Sequence, residues 1–171
     1  LMGCTKPDIK PEKNAKAMVD RENNLTNNIM KEQLISFETA KLAKQKGSLY
    51  LNGIQKITPK TLHELVKHEG NLYLNGLMNI TPEMAQEFSN SNAKLHLNGL
   101  TSMNADVAIL LAKNPNDMWF DGLTELRPEV ATAFANGEFR EYLSFNGITN
   151  LMPEDIAAWD ENYWGWISFR G

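Results

Sequence analysis

Four ring-bearing residues, Tyr50, Tyr73, His96 and Trp119, hold the same place in successive copies of one five-residue motif. The copies are Leu49-Tyr50-Leu51-Asn52-Gly53, Leu72-Tyr73-Leu74-Asn75-Gly76, Leu95-His96-Leu97-Asn98-Gly99 and Met118-Trp119-Phe120-Asp121-Gly122. Two more, Leu143-Ser144-Phe145-Asn146-Gly147 and Ile167-Ser168-Phe169-Arg170-Gly171, carry serine at that place. Parallel strands would set neighbouring rings about 4.8 Å apart, giving a stripe roughly 15 Å long. Ser48, Asn71, Lys94, Asp117, Tyr142 and Trp166 flank it. Rings beside amides and charges suit an extended peptide or a glycan, so Tyr50, Tyr73, His96, Trp119, Tyr142 and Trp166 are the candidate ligand-binding residues. The competing reading is that the rings serve the sheet alone, since aromatic neighbours stabilise a ladder by themselves.

Other chemistry finds little support. The sequence has no Gly-x-Ser-x-Gly elbow, no phosphate loop and no Cys/His pairing. Glu83, Glu129 and Glu154 are explained as acids near the positive ends of helices. His63, His68 and His96 lack a zinc-like spacing, and one cysteine supplies no second thiolate. The histidines therefore read as solvated or stacking residues, with no catalytic residue, metal or cofactor expected. The Asn column at 52, 75, 98 and 146, with Asp121 and Arg170 as variants, is expected to bond main-chain groups of the next turn. The Gly after it serves close stacking or a positive φ.

A period of 23 to 25 residues implies units that bury their apolar sides only against their neighbours. Within one unit, Leu72-Tyr73-Leu74 reads as a strand with both leucines on one face. Thr81-Pro82-Glu83 then reads as a helix start, with Thr as the cap and Pro where its missing N–H costs nothing. The position four after each Gly is Ile57, Ile80, Met103, Leu126 or Leu151. The inward helical pairs are Leu62/Leu65, Ala85/Phe88, Ala108/Leu111, Ala131/Phe134 and Ile156/Trp159, spaced by three so that both members share a face.

One strand per unit with a returning helix makes the strands parallel and puts the helices on one side. Over residues 35–171 this pattern resembles the leucine-rich-repeat superfamily, most nearly its short bacterial class. The resemblance implies an α/β repeat: a β/α solenoid with parallel strands on the concave face and short helices on the convex face. One departure stands out. The asparagine usual three residues after the second Leu is replaced by Ile54, Leu77, Leu100, Leu123 and Ile148, and Asn follows that Leu directly. Ile35-Ser36-Phe37-Glu38 with Ala40, Leu42 and Ala43 reads as an N-terminal helical cap, followed by five repeats and a terminal strand. The aromatics Tyr163, Trp164 and Trp166 either seal the terminal edge within one chain or make a partner contact there, a homodimer among the options.

The chain has 171 residues, 42% apolar and 22% charged, with a net charge of −4, enough for one core without crosslinks. That charge gives no basic footprint for nucleic acid. Residues 5–34, with Pro7, Pro11 and few large apolar side chains, bury too little to offset their ordering entropy and read as a tether. Before them stands Leu1-Met2-Gly3-Cys4, which resembles the bacterial lipobox. The resemblance implies a lipid on the Cys4 sulfur, a membrane as partner, and residues 1–34 as lipobox remnant plus tether. Thr5, where the sorting rule would place Asp for retention at the inner membrane, favours the outer membrane of a bacterial envelope. The sequence thus leads to a non-enzymatic binding module of a lipid-anchored envelope protein that takes a protein, peptide or glycan. An assembly protein working through its C-terminal edge is the alternative.

Overall fold

The computed structural model describes residues 39–138, 142–151, 153–159 and 165–170. Cys4, the tether, residues 35–38, Tyr163, Trp164 and Gly171 lie outside them. After a helical segment over residues 39–43, strands and helices alternate: β1 (Gly47–Tyr50), α1 (Pro59–Leu65), β2 (Gly70–Tyr73), α2 (Pro82–Ser89), β3 (Lys94–His96), α3 (Ala105–Leu111), β4 (Met118–Trp119), α4 (Pro128–Ala135), β5 (Tyr142–Ser144), α5 (Pro153–Ile156) running into a 3-10 turn (Ala157–Trp159), and β6 (Trp166–Ser168). The six strands form one all-parallel sheet in the order β1-β2-β3-β4-β5-β6.

The register follows the repeat: Leu49, Leu72, Leu95, Met118, Leu143 and Ile167 form one row, and Tyr50, Tyr73, His96, Trp119, Ser144 and Ser168 the next. Alternation along each strand sends the first row toward the helices and the second to the opposite, open face. The leucine row packs with Leu62, Leu65, Ala85, Phe88, Ala108, Leu111, Ala131 and Phe134 in one core. These are the expected inward pairs, and Trp159 of the last pair is also buried. Phe88, Phe120, Phe134 and Phe145 are fully buried, each worth about 1.5–3 kcal/mol relative to exposure.

Local chemistry fixes the helix starts. Thr58 and Thr81 accept the backbone N–H groups of Thr61 and Met84 through their side chains, and each is followed by Pro at the first helical position. Asn104 caps Val107 in the same way, whereas Arg127 occupies the cap position of α4 without a side-chain bond to the helix's first turn. The glycines answer the question left open by the sequence. At Gly99 the backbone φ is not positive; a Cβ there would lie 2.2 Å from the Asn75 carbonyl oxygen and 2.7 Å from that of Leu77. Close stacking of one turn on the last is what excludes a side chain. Only Gly47 and Gly70 among the described residues have positive φ.

Candidate functional site

On the open face the expected stripe forms a face-to-face stack. Tyr50 and Tyr73 lie 4.4 Å apart between ring centroids at 16°, Tyr73 and His96 3.9 Å at 10°, and His96 and Trp119 4.0 Å at 12°. The spacing is tighter than the strand separation of about 4.8 Å, so the rings lean along the sheet into contact. The stack changes character at Trp119, because Ser144 continues the row. Tyr142, diagonal to Trp119, tilts against it instead at 5.4 Å and 39°. Trp166 pairs with Tyr142 across β5 and β6 and is 79% exposed, while Tyr50 at the other end is 65% exposed. All six sequence-derived site residues therefore stand on one face.

Three columns of side chains share that face. In the first, the Asn71 amide donates to Ser48 Oγ at 3.5 Å and its Oδ1 accepts from His96 Nε2 at 3.3 Å. Lys94 pairs with Asp117 at 2.6 Å, and the other Asp117 oxygen accepts the Tyr142 backbone N–H at 2.8 Å. The rings make the second column. In the third, Asn52 Oδ1 accepts the Asn75 N–H at 3.2 Å, Asn75 that of Asn98 at 3.0 Å, Asn98 that of Asp121 at 2.9 Å, and Asp121 that of Asn146 at 3.0 Å. The expected side-chain-to-main-chain ladder is thus present. Asp121 adds the Ser144 hydroxyl as a second donor, and Ser168 donates to Asn146 Oδ1 at 2.8 Å.

Electrostatics on this face are set by the packing. Burial between two rings pushes the His96 imidazole down to about 4, against the opposing pull of the Asp121 carboxylate. The same desolvation, helped by the Tyr50 phenol beside it, raises the Tyr73 hydroxyl above its ordinary value. At neutral pH Tyr73 and His96 are therefore uncharged, and the Nε2 hydrogen of the neutral imidazole is directed at Asn71.

The histidines separate into three environments, and one corrects the sequence reading. His63 is exposed and meets Glu87 at 2.9 Å, and His96 stacks. His68 is neither solvated nor stacked: it is fully buried, with Nε2 2.9 Å from the Gly47 carbonyl oxygen and Nδ1 3.3 Å from that of Ala43. Asn114, two repeats further on, is buried in the same role, donating to the Phe88 carbonyl at 2.6 Å. Both side chains tie one turn to carbonyls of the turn before it. The 23-residue spacing of His68, Ser91 and Asn114 was the available signal, but three unlike residues in one column hide it.

Among the described residues no three His, Cys, Asp or Glu side chains gather as a metal site would need, and no helix is long and apolar enough to cross a membrane. No family model, curated protein or solved structure matches the chain.

Proposed function

We propose that this chain is a leucine-rich-repeat-like solenoid acting as a non-enzymatic binding module, with the ring stack on its concave, open face as the recognition surface. The observation that carries the reading is the unbroken contact from Tyr50 through Tyr73 and His96 to Trp119 on the face not covered by helices. Rings stacked face to face offer ligands their edges and polar tips: two phenol hydroxyls and an indole N–H. A ligand lying along the stripe is then held by hydrogen bonds beside the Ser48, Asn71 and Lys94 column, which suits the carbonyls of an extended peptide or the hydroxyls of a glycan. The Leu-Met-Gly-Cys end and polar tether support a bacterial envelope lipoprotein, anchored through Cys4 and sorted to the outer membrane. One acyl chain holds weakly, so the mature cysteine would carry more than one.

The test is a peptide and glycan array screened with wild type and with Tyr73 and Trp119 both replaced by Ser. Binding by wild type and its loss in the variant, with a variant that still melts cooperatively, is the expected result. Equal binding by both overturns the reading. Intact mass of the protein from its native host tests the anchor, and an unmodified Cys4 sinks it.

A second reading has its own observation. Among the described residues Trp166 is the most exposed of the large apolar side chains, and its strand pairs on one side only. An assembly protein that makes its contact through this C-terminal edge would use both features.

A further inference from the structure

β1 and β6 are the two edges of the sheet, and they fit each other. From the observed ladder, the N–H groups of Leu51, Leu74, Leu97, Phe120 and Phe145 point forward to the next strand, where carbonyls of Tyr73, His96, Trp119, Ser144 and Ser168 receive them. At the start of the sheet, Ser48 and Tyr50 therefore direct their main-chain groups outward. At its end, Ile167 and Phe169 do the same from the other side. Within the described residues these two rows have no strand partner.

We propose that β6 of one copy pairs in parallel with β1 of the next, so that copies join head to tail. The proposal develops the C-terminal-edge reading by naming the partner as a second copy of this chain. Keeping the register of the sheet puts Ile167 beside Leu49, Trp166 beside Ser48 and Ser168 beside Tyr50. Apolar meets apolar on the core side, where Leu51, Ile54, Ile167 and Phe169 are only partly buried although their counterparts Leu74, Leu77, Leu143 and Phe145 are fully so. On the open face each large ring meets a serine, leaving Trp166 and Tyr50 as diagonal neighbours. A diagonal of that sense already joins neighbouring strands in the molecule: Asn71, two residues before the ring row on β2, reaches His96 of the row on β3 at 3.3 Å. Trp166 and Tyr50, at 79% and 65% the most exposed large apolar side chains among the described residues, would thus cover one another.

Charge favours the same polarity. Residues 39–50 carry Lys41, Lys44 and Lys46 and no acid, and those lysines are exposed. Residues 153–170 carry Glu154, Asp155, Asp160 and Glu161 against Arg170. By this count along the sequence, a head-to-tail joint brings unlike net charge together, whereas tail against tail brings like charge. Such a contact is heterologous and does not close on itself in two copies, so it gives open chains or rings.

The test is sedimentation of the full 171-residue chain in reducing buffer, which removes disulfides through Cys4, over a concentration series at low and high salt. Ser48→Pro blocks the head, because Pro removes an outward N–H without touching the β2 ladder. Trp166→Lys blocks the tail. Wild type is expected to rise above its 19.3 kDa monomer and past the dimer with concentration, and to dissociate with salt. Each variant alone should be a monomer, and their mixture should stop at a one-to-one dimer. A wild type that stays monomeric overturns the proposal. So does a head-blocked variant that still dimerises, although that result retains the C-terminal-edge reading; association unaffected by either block removes both. If Ser48→Pro does not melt cooperatively, Lys44→Glu with Lys46→Glu replaces it, and association equal to wild type in that variant counts against the joint.

Discussion

The imidazole of His96 lies 4.0 Å from the Trp119 indole and 12° from parallel, with the Tyr73 ring at 3.9 Å on its other side. A histidine so enclosed exchanges water for ring faces on both sides, and its ordinary pKa of 6.5 falls to about 4 for that reason. Between these values the unfolded chain binds a proton that the folded chain refuses. Stability from this group is therefore complete above pH 6.5 and is lost as pH falls toward 4.

The first prediction follows from that sign. Unfolding free energy should drop by about 1–2 kcal/mol between pH 7 and pH 4 on account of His96, a figure discounted because part of the ring still meets water. His96→Phe should flatten that part of the curve. Denaturant melts at each pH check it, and an unchanged slope in the variant would show that other groups drive the acid limb.

A second prediction concerns the core. Phe88 is fully buried, and Phe88→Ala should cost about 3–5 kcal/mol. A measured loss below about 1 kcal/mol would contradict its place in the packed column.

How much of this was legible in the sequence follows from which residues repeat. Leu72, Phe88 and Gly99 sit in columns that keep one chemical character through most copies, so strand, core face and tight turn could be read before any coordinate. Ring stacking was legible as proximity. The face-to-face angle was not, because it depends on how Tyr50, Tyr73, His96 and Trp119 lean. The burial of His68 is not legible, because its partners are carbonyls of Ala43 and Gly47, which leave no trace in side-chain identity. The Lys94 pairing with Asp117 was open to inspection, as opposite charges one period apart, but the Tyr142 N–H bond to Asp117 was not.

The third prediction separates space from conformational freedom. Gly99→Ala and Gly99→Val should both destabilise strongly, because even the first added carbon meets two carbonyl oxygens of the preceding turn. Gly53, whose added Cβ would have nothing within 4 Å, should accept Ala with a change of less than about 1 kcal/mol. Thermal melts of both alanine variants give the comparison, and equal losses would refute the stacking account.

The last prediction turns on Asp121, the one carboxylate in a column otherwise built from amides up to Asn146. Its Oδ1 receives the Asn146 N–H and the Ser144 hydroxyl, and its charge is the influence that raises His96. Asp121→Asn keeps an acceptor oxygen in place, so the fold at pH 7 should change by less than about 1 kcal/mol. Removing the charge lets the His96 pKa fall further, and the acid loss of stability should then continue below pH 4. Asp121→Ala instead leaves two donors without an acceptor and should cost about 1–3 kcal/mol at every pH. Melts across pH with a direct NMR titration of His96 distinguish the roles. If Asp121→Asn and Asp121→Ala destabilise alike at pH 7, the hydrogen-bond ladder is not what this column contributes.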